Sequence, residues 1–231
     1  CVVFIALAAA IGGVGPVQSA NASSKPHCFY YDGSHLRILG VVAMPGLGDG
    51  GMAVSDGYAY VAAGGLQVMD ITNPESPQIV GTVGTPGSAR DVAVLGAYAY
   101  VADWTSGLQV VDITNPASPQ IVGTVGTPGP ANDVAVSGTH AYVADGSSGL
   151  KVIDIVNPQS PQIVGSWNTP GLALAIAIAG AYAYVADDTY GLQVFNITNP
   201  HSPQRVATVD TPGHAQGVAV SGNFAYLADG S

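Results

Sequence analysis

Apolar residues along this chain fall in short runs of four to six, and the gaps between runs fill with Gly, Pro, Asn, Ser and Asp. In one complete unit the runs are Asp91–Val94, Tyr98–Ala102, Leu108–Ile113 and Gln120–Val125. They are rich in Val, Ile, Tyr and Ala and too short for helices, so each predicts a β-strand. Tyr98-Ala99-Tyr100-Val101-Ala102 is apolar on both faces, one bulky and one small. A strand with one wet face would alternate with polar residues. This strand therefore belongs to a sheet covered on both sides.

The pattern repeats. Ala-Tyr-Val-Ala recurs around Tyr60, Tyr100, Tyr142 and Tyr184, with Ala-Tyr-Leu-Ala at Tyr226, and the last three steps are each 42 residues. The Asn-Pro pairs at Asn73, Asn115, Asn157 and Asn199 share that step. The first Tyr step is 40, because Ala63-Gly64-Gly65 is shorter than Asp103-Trp104-Thr105-Ser106-Gly107, which marks this segment as a loop. Short links join successive strands as antiparallel neighbours. Four-stranded meanders at this period are the blade unit of a β-propeller. The fold expected is all-β, with about four complete blades and partial blades at both ends. A buried Tyr covers roughly 150–250 Å². Burying it needs the neighbouring blade, so stability is expected to depend on repeat number.

The third strands read Leu66-Gln67-Val68-Met69-Asp70, Leu108-Gln109-Val110-Val111-Asp112, Leu150-Lys151-Val152-Ile153-Asp154 and Leu192-Gln193-Val194-Phe195-Asn196. With the flanking Tyr-Val-Ala-Asp and Asn-Pro-x-Ser-Pro phrases, they resemble the LVIVD repeat over nearly everything after about residue 36. The resemblance implies a β-propeller in a bacterial or archaeal cell-surface protein. It implies no activity and no catalytic residues. The chain departs from the motif at its second position, Gln or Lys here, and at Asn196.

The ends are organised differently. Val2 to Ile11 is an unbroken apolar run, shorter than the roughly 20 residues a bilayer span needs. Ala20-Asn21-Ala22 fits a small-x-small cleavage site. Residues 1–22 are read as a secretion leader cut after Ala22 and lacking its basic start, and 23–35 as an N-terminal segment with one strand. Residues 36–231 form the repeat region. No transmembrane segment is expected in the mature chain, and the protein is placed outside the cell or on its surface. His35 to Ala43 resembles a fourth strand and Cys28 to Asp32 a third. Two strands follow the last complete unit. A shared blade could close a five-bladed ring; further repeats beyond the given sequence are the preferred expectation.

Composition narrows the function. Hydrophobic residues make up 48% and charged residues 9%, with a formal net charge of -10. Nucleic-acid binding needs a basic footprint, which this balance excludes. With Cys1 inside the leader, Cys28 stands alone and no disulfide framework is expected. Gly46 to Gly51 is Gly-rich but lacks the Lys-Ser/Thr of a phosphate loop. The five His are scattered, and His140 takes a slot filled by Tyr98, Tyr182 and Phe224, a packing position.

Comparing the copies separates two faces. Thr-Asn-Pro-x-Ser-Pro barely changes, as a turn would require, and Asp70, Asp112 and Asp154 are expected to accept N–H groups there. The links after the second strand and between units share the other face and diverge. Recognition is written where the fold leaves residues free. The candidate ligand-binding residues are Arg90, Asp91, Trp104, Asn132, Asp133, Asp188, Tyr190, His214 and Gln216. Arg, Trp and Tyr are common interface anchors; drift in solvated loops is the competing explanation. Nine acids map near this face: Asp49, Asp91, Asp103, Asp133, Asp145, Asp187, Asp188, Asp210 and Asp229. Calcium needs six to eight converging oxygens, whereas these are spread around a ring. Asp103, Asp145 and Asp187 are therefore read as turn residues, and no metal or cofactor is expected.

The function expected is a non-catalytic, exported scaffold binding a cell-surface protein or glycan. One alternative is a propeller hydrolase with a central metal, for which only Asp91 and Asp133 are suitably placed. The other is a passive spacer in a larger surface protein.

Overall fold

A computed structural model of the chain describes residues 3–5, 27–31, 36–41 and 50–230. Four consecutive four-stranded antiparallel meanders form the body, each in sequential strand order. Blade one is Met52–Ser55, Tyr58–Ala62, Leu66–Asp70 and Gln78–Val83. Blade two is Asp91–Leu95, Tyr98–Ala102, Leu108–Asp112 and Gln120–Val125. Blade three is Asp133–Ser137, His140–Ala144, Leu150–Asp154 and Gln162–Trp167. Blade four is Ala175–Ala179, Tyr182–Ala186, Leu192–Asn196 and Gln204–Val209. His214–Ser221 and Phe224–Gly230 pair as the start of a fifth unit. The first strands of successive blades are neighbours, so they line the central axis.

The expected strands differ from these by a residue at most. The third strand of blade two stops at Asp112 because that side chain turns back to start the next loop. Each fourth strand carries the same irregularity. In blade two Val110 faces Gly123 while Val111 faces Ile121, so one residue bulges out. The bulge brings a glycine under the next blade. A Cβ on Gly81, Gly123 or Gly165 would lie 2.0–2.1 Å from the carbonyl oxygen of Pro116, Pro158 or Pro200.

His27–Tyr31 and Leu36–Val41 form an antiparallel pair with the same shift, Cys28 facing Gly40 and Phe29 facing Ile38. They are the third and fourth strands expected there. Val3–Ile5, within the expected leader, pairs in parallel with His27–Tyr31. The expected cleavage point, and Asp49, lie outside the described residues. The two-stranded C-terminal sheet and this N-terminal sheet are separate.

The core consists of seams between blades. Tyr60 of blade one packs with Val92, Ala99, Val101, Val111 and Ile113 of blade two. Tyr100 and Tyr142 repeat this toward blades three and four. These three tyrosines are 3–4% exposed, while Tyr226, with no complete blade against it among the described residues, is 59% exposed. The bulky face of the second strand is thus buried by the neighbouring blade in blades one to three, and only half-buried at Tyr184 of blade four.

Candidate functional site

The constant face is built from two successive side-chain turns per blade. Asp112 Oδ1 accepts the N–H of Thr114 at 2.9 Å and its hydroxyl at 2.7 Å, and Asn115 Oδ1 accepts the Ala117 N–H at 3.2 Å. Asp70, Asp154 and Asn196 repeat the first turn, and Asn73, Asn157 and Asn199 the second. Asn196 accepts as Asp does, so that departure from the motif preserves the turn. The bonds from Thr72 and Thr114 hold the Asp70 and Asp112 carboxyls below the usual range. An open depression lined by Asp70, Thr72, Asn73, Ser76, Gln78 and Val80 lies here. The bonded oxygens of Asp70 and Asn73 already serve the turns, so it offers little to a ligand.

The opposite face stands on buried struts. Asp103, Asp145 and Asp187, expected to shape local turns, are fully buried. Asp103 Oδ2 accepts the N–H of Gly87 at 2.8 Å and Oδ1 the hydroxyl of Thr85 at 2.7 Å. Asp145 takes Gly129 N–H at 2.9 Å, and Asp187 takes Gly171 N–H at 3.1 Å. Asp229 repeats both bonds with Gly213 and Thr211. Each Asp thus pins the Thr-Pro-Gly link that enters its own blade. The signal was present in the sequence: Thr-Pro-Gly precedes each Asp at a fixed distance of 16 residues from Gly to Asp. Burial raises the Asp145 and Asp187 carboxyls, partly offset by Thr127, Gly129 and Lys151 around the first, and by Thr169, Gly171 and Arg205 around the second.

The second motif position has a parallel role. Gln67, Gln109 and Gln193 are buried and donate to the carbonyls of Ala63, Ser106 and Tyr190 in the preceding loop. Lys151 does the same to Ser148, and burial lowers its ammonium, partly offset by Asp145. A buried donor is what the loop requires, and either residue type supplies one.

On these struts the variable loops clasp the next blade. Trp104 exchanges backbone bonds with Ala131 at 3.1 and 2.9 Å, Gly146 with Ala173 at 3.2 and 3.0 Å, and Asp188 receives the Ala215 N–H at 2.9 Å. The clasp residue has positive φ: 42° at Trp104, 49° at Gly146 and 45° at Asp188. Glycine adopts this conformation freely, while a side chain costs about 1–2 kcal/mol. The two side chains placed there are engaged. The Arg90 guanidinium sits 5.0 Å above the Trp104 ring. His214 Nδ1 lies 2.7 Å from Asp188 Oδ1.

The remaining candidates divide. Tyr190 is exposed beside Gly171, and Gln216 is exposed beside Gly230. The Asn132 amide is half-buried and bonds the Ala173 carbonyl at 3.0 Å. Asp91 and Asp133 lie at the axis, with Asp91 Oδ2 accepting Val134 N–H at 3.1 Å and Asp133 Oδ2 accepting Ile176 N–H at 2.7 Å. They bond across the blade seams rather than facing outward. Burial, then Asp133, raises the Asp91 carboxyl well above its usual value. Among the described residues no three His, Cys, Asp or Glu side chains converge to hold a metal ion, and no helix is long and apolar enough to cross a membrane. The structure therefore pairs Arg90 with Trp104 and Asp188 with His214, leaves Tyr190 and Gln216 exposed, and sets Asp91, Asn132 and Asp133 into bonds across the blade seams.

A sequence profile described as the LVIVD repeat matches residues 50–85, 86–127, 128–169, 170–211 and 212–231. The chain belongs to the LVIVD repeat family. Its repeats coincide with the blades, and the last four each begin at the proline of a Thr-Pro-Gly link. No curated protein matches this LVIVD chain. Among solved structures, a functionally unknown protein from Desulfotomaculum acetoxidans is 17% identical with a TM-score of 0.74, over 87% of this chain and 68% of that one. The computationally designed Ika8 is 14% identical with a TM-score of 0.64, over 78% of this chain; the LVIVD chain spans 55% of Ika8. The designed Ika4 is 16% identical with a TM-score of 0.52, over 63% of this chain and 89% of its own. At these identities the likeness concerns the fold alone.

Proposed function

We propose that this LVIVD propeller is an exported, non-catalytic binding scaffold whose ligand, a cell-surface protein or glycan, docks on the variable loop face. The observation that carries the reading is the backbone strain at Trp104 and Asp188. Glycine serves the same clasp at Gly146 without strain. Strain kept where an unstrained residue would serve points to a use for the side chain. Trp104 reaches Arg90 on the link before blade two and Asp188 reaches His214 at the start of the fifth unit's first strand, and Trp104 and Tyr190 are 40% and 48% exposed. Aromatic and Arg side chains on a rigid scaffold are suited to anchoring a partner. The apolar run at residues 2–11 supports export.

The test is a glycan array together with immobilised cell-envelope proteins, probed with the native chain and with a triple variant, Arg90→Ala, Trp104→Ala and Tyr190→Ala. Binding by the native chain at least about 100-fold tighter than by the folded variant is the expected result; a loss of about 3 kcal/mol is ordinary when several anchors are truncated. Equal binding by the two removes the reading.

A further inference from the structure

We propose that Asp91 forms a proton-dependent latch between blades two and three, closed while its carboxyl holds a proton against Asp133 and loosened as it ionises. The geometry comes first. Both carboxyls take the same donor: Val134 N–H lies 3.1 Å from Asp91 Oδ2 and 2.7 Å from Asp133 Oδ1. Asp133 Oδ2 continues to Ile176 N–H of blade four at 2.7 Å. On the other side, the Asp91 carboxyl fills the space a Cβ on Gly51 would need, 1.7 Å from Asp91 Oδ1. One chain of contacts therefore runs from Gly51, beside the first strand of blade one, through the first strands of blades two, three and four. Sharing one N–H donor brings the two carboxyls against each other. A carboxylate is only an acceptor, so that contact needs a proton on one partner.

Among the described residues no counter-charge balances the pair. The flanking first strands bring Gly51 and Met52 from blade one and Ala175 and Ile176 from blade four. The facing positions on the second strands are Ala102 and Ala144. Arg90, next in sequence, is drawn over Trp104, and Asn132 is bonded to Ala173. Asp103 and Asp145, beyond the alanines, face the Thr-Pro-Gly links. Like charges held this close ionise together only with difficulty.

The sign follows. Burial and the Asp133 neighbour raise the Asp91 carboxyl in the folded chain. A raised folded value favours the fold below the unfolded carboxylate value, about 3.9, and that contribution is lost as pH rises through the folded value. Asp70 and Asp112 are shifted downward and act oppositely, losing their contribution as pH falls through their folded values. Comparing a variant with the native chain cancels them.

The experiment is thermal unfolding of the full chain and of Asp91→Asn from pH 4 to pH 9. Asn keeps an acceptor for Val134 and a donor toward Asp133 but cannot ionise. The expected result is that the native chain falls behind the variant by a further 2–4 °C or so with rising pH, the shift ordinary for one coupled group in a domain of this size. A gap independent of pH overturns the latch. Should the variant not fold, the Asp91 ¹³Cγ titration in the native chain decides. A midpoint above the ordinary carboxylate range supports the latch, and one within it overturns it.

Discussion

The two faces of the propeller use the same residue types for different ends. On the Asn-Pro face, Asp and Asn bond N–H groups two residues away, and the copies are nearly interchangeable. On the opposite face, Asp103 reaches back 16 residues to Gly87. Above this strut the loops carry Trp104-Thr105, Gly146-Ser147 or Asp188-Thr189. The constant face spends its polar side chains on its own turns; the variable face hides its constraints beneath the surface and leaves the loop tips free. A face can therefore vary in sequence without being loosely built.

The comparison breaks hardest at a strut. Asp103→Ala removes a fully buried carboxylate and strands Gly87 N–H and the Thr85 hydroxyl. A charge-assisted bond contributes about 1.5–3 kcal/mol, and a buried donor without a partner adds to the loss. The expected cost is about 3 kcal/mol, measured by urea unfolding. A cost below about 1 kcal/mol would mean that the links hold themselves.

A smaller loss is expected where the constant face meets the next blade. Gly123→Ala places a Cβ 2.0 Å from the Pro158 carbonyl oxygen, a backbone atom that moves only with its turn. Overpacking of this kind costs about 1–3 kcal/mol. Blade four carries Ala207 at the corresponding place. No described Asn-Pro turn packs on it, so Ala207→Gly should change stability by less than about 1 kcal/mol, the backbone effect alone. Equal costs at 123 and 207 would show that the backbone, not the seated proline turn, decides.

The fold was legible because it is local and repeated. The second strands Tyr98–Ala102 and the fourth strand Gln120–Val125 lie where the apolar pattern places them. The Asn-Pro turns were legible for the same reason, since Asp112 and Asn115 act within two residues. Asp103, Asp145 and Asp187 were misread because their partners are two strands back in the chain, and an Asp beside Gly or Ser looks like a turn residue. The Arg90–Trp104 pairing also depends on how the link folds back, which spacing alone does not show. Asp91 and Asp133 were correctly set near the axis. Their bonds to the next blade became visible only with the first strands side by side.

A small expected effect on stability separates use from architecture most cleanly. At Trp104 the backbone φ is 42°, the same clasp that Gly146 makes at 49°. Trp104→Gly keeps the backbone exchange with Ala131, which needs no side chain. It removes a left-handed side chain, a gain of about 1–2 kcal/mol. It also gives up the Arg90 contact, worth about 0.5–1 kcal/mol at an exposed site, and the packing of the ring's covered part. The gain offsets the lost Arg90 contact and part of the lost packing of a ring that is 40% exposed, so the net loss should be no more than about 1–2 kcal/mol. If Trp104 instead serves the architecture, its removal should cost the 3–5 kcal/mol typical of a buried aromatic. A loss within that range accompanied by loss of ligand would place Trp104 among residues kept for recognition. A large loss would return this loop to the same structural role as the Asn-Pro turns opposite.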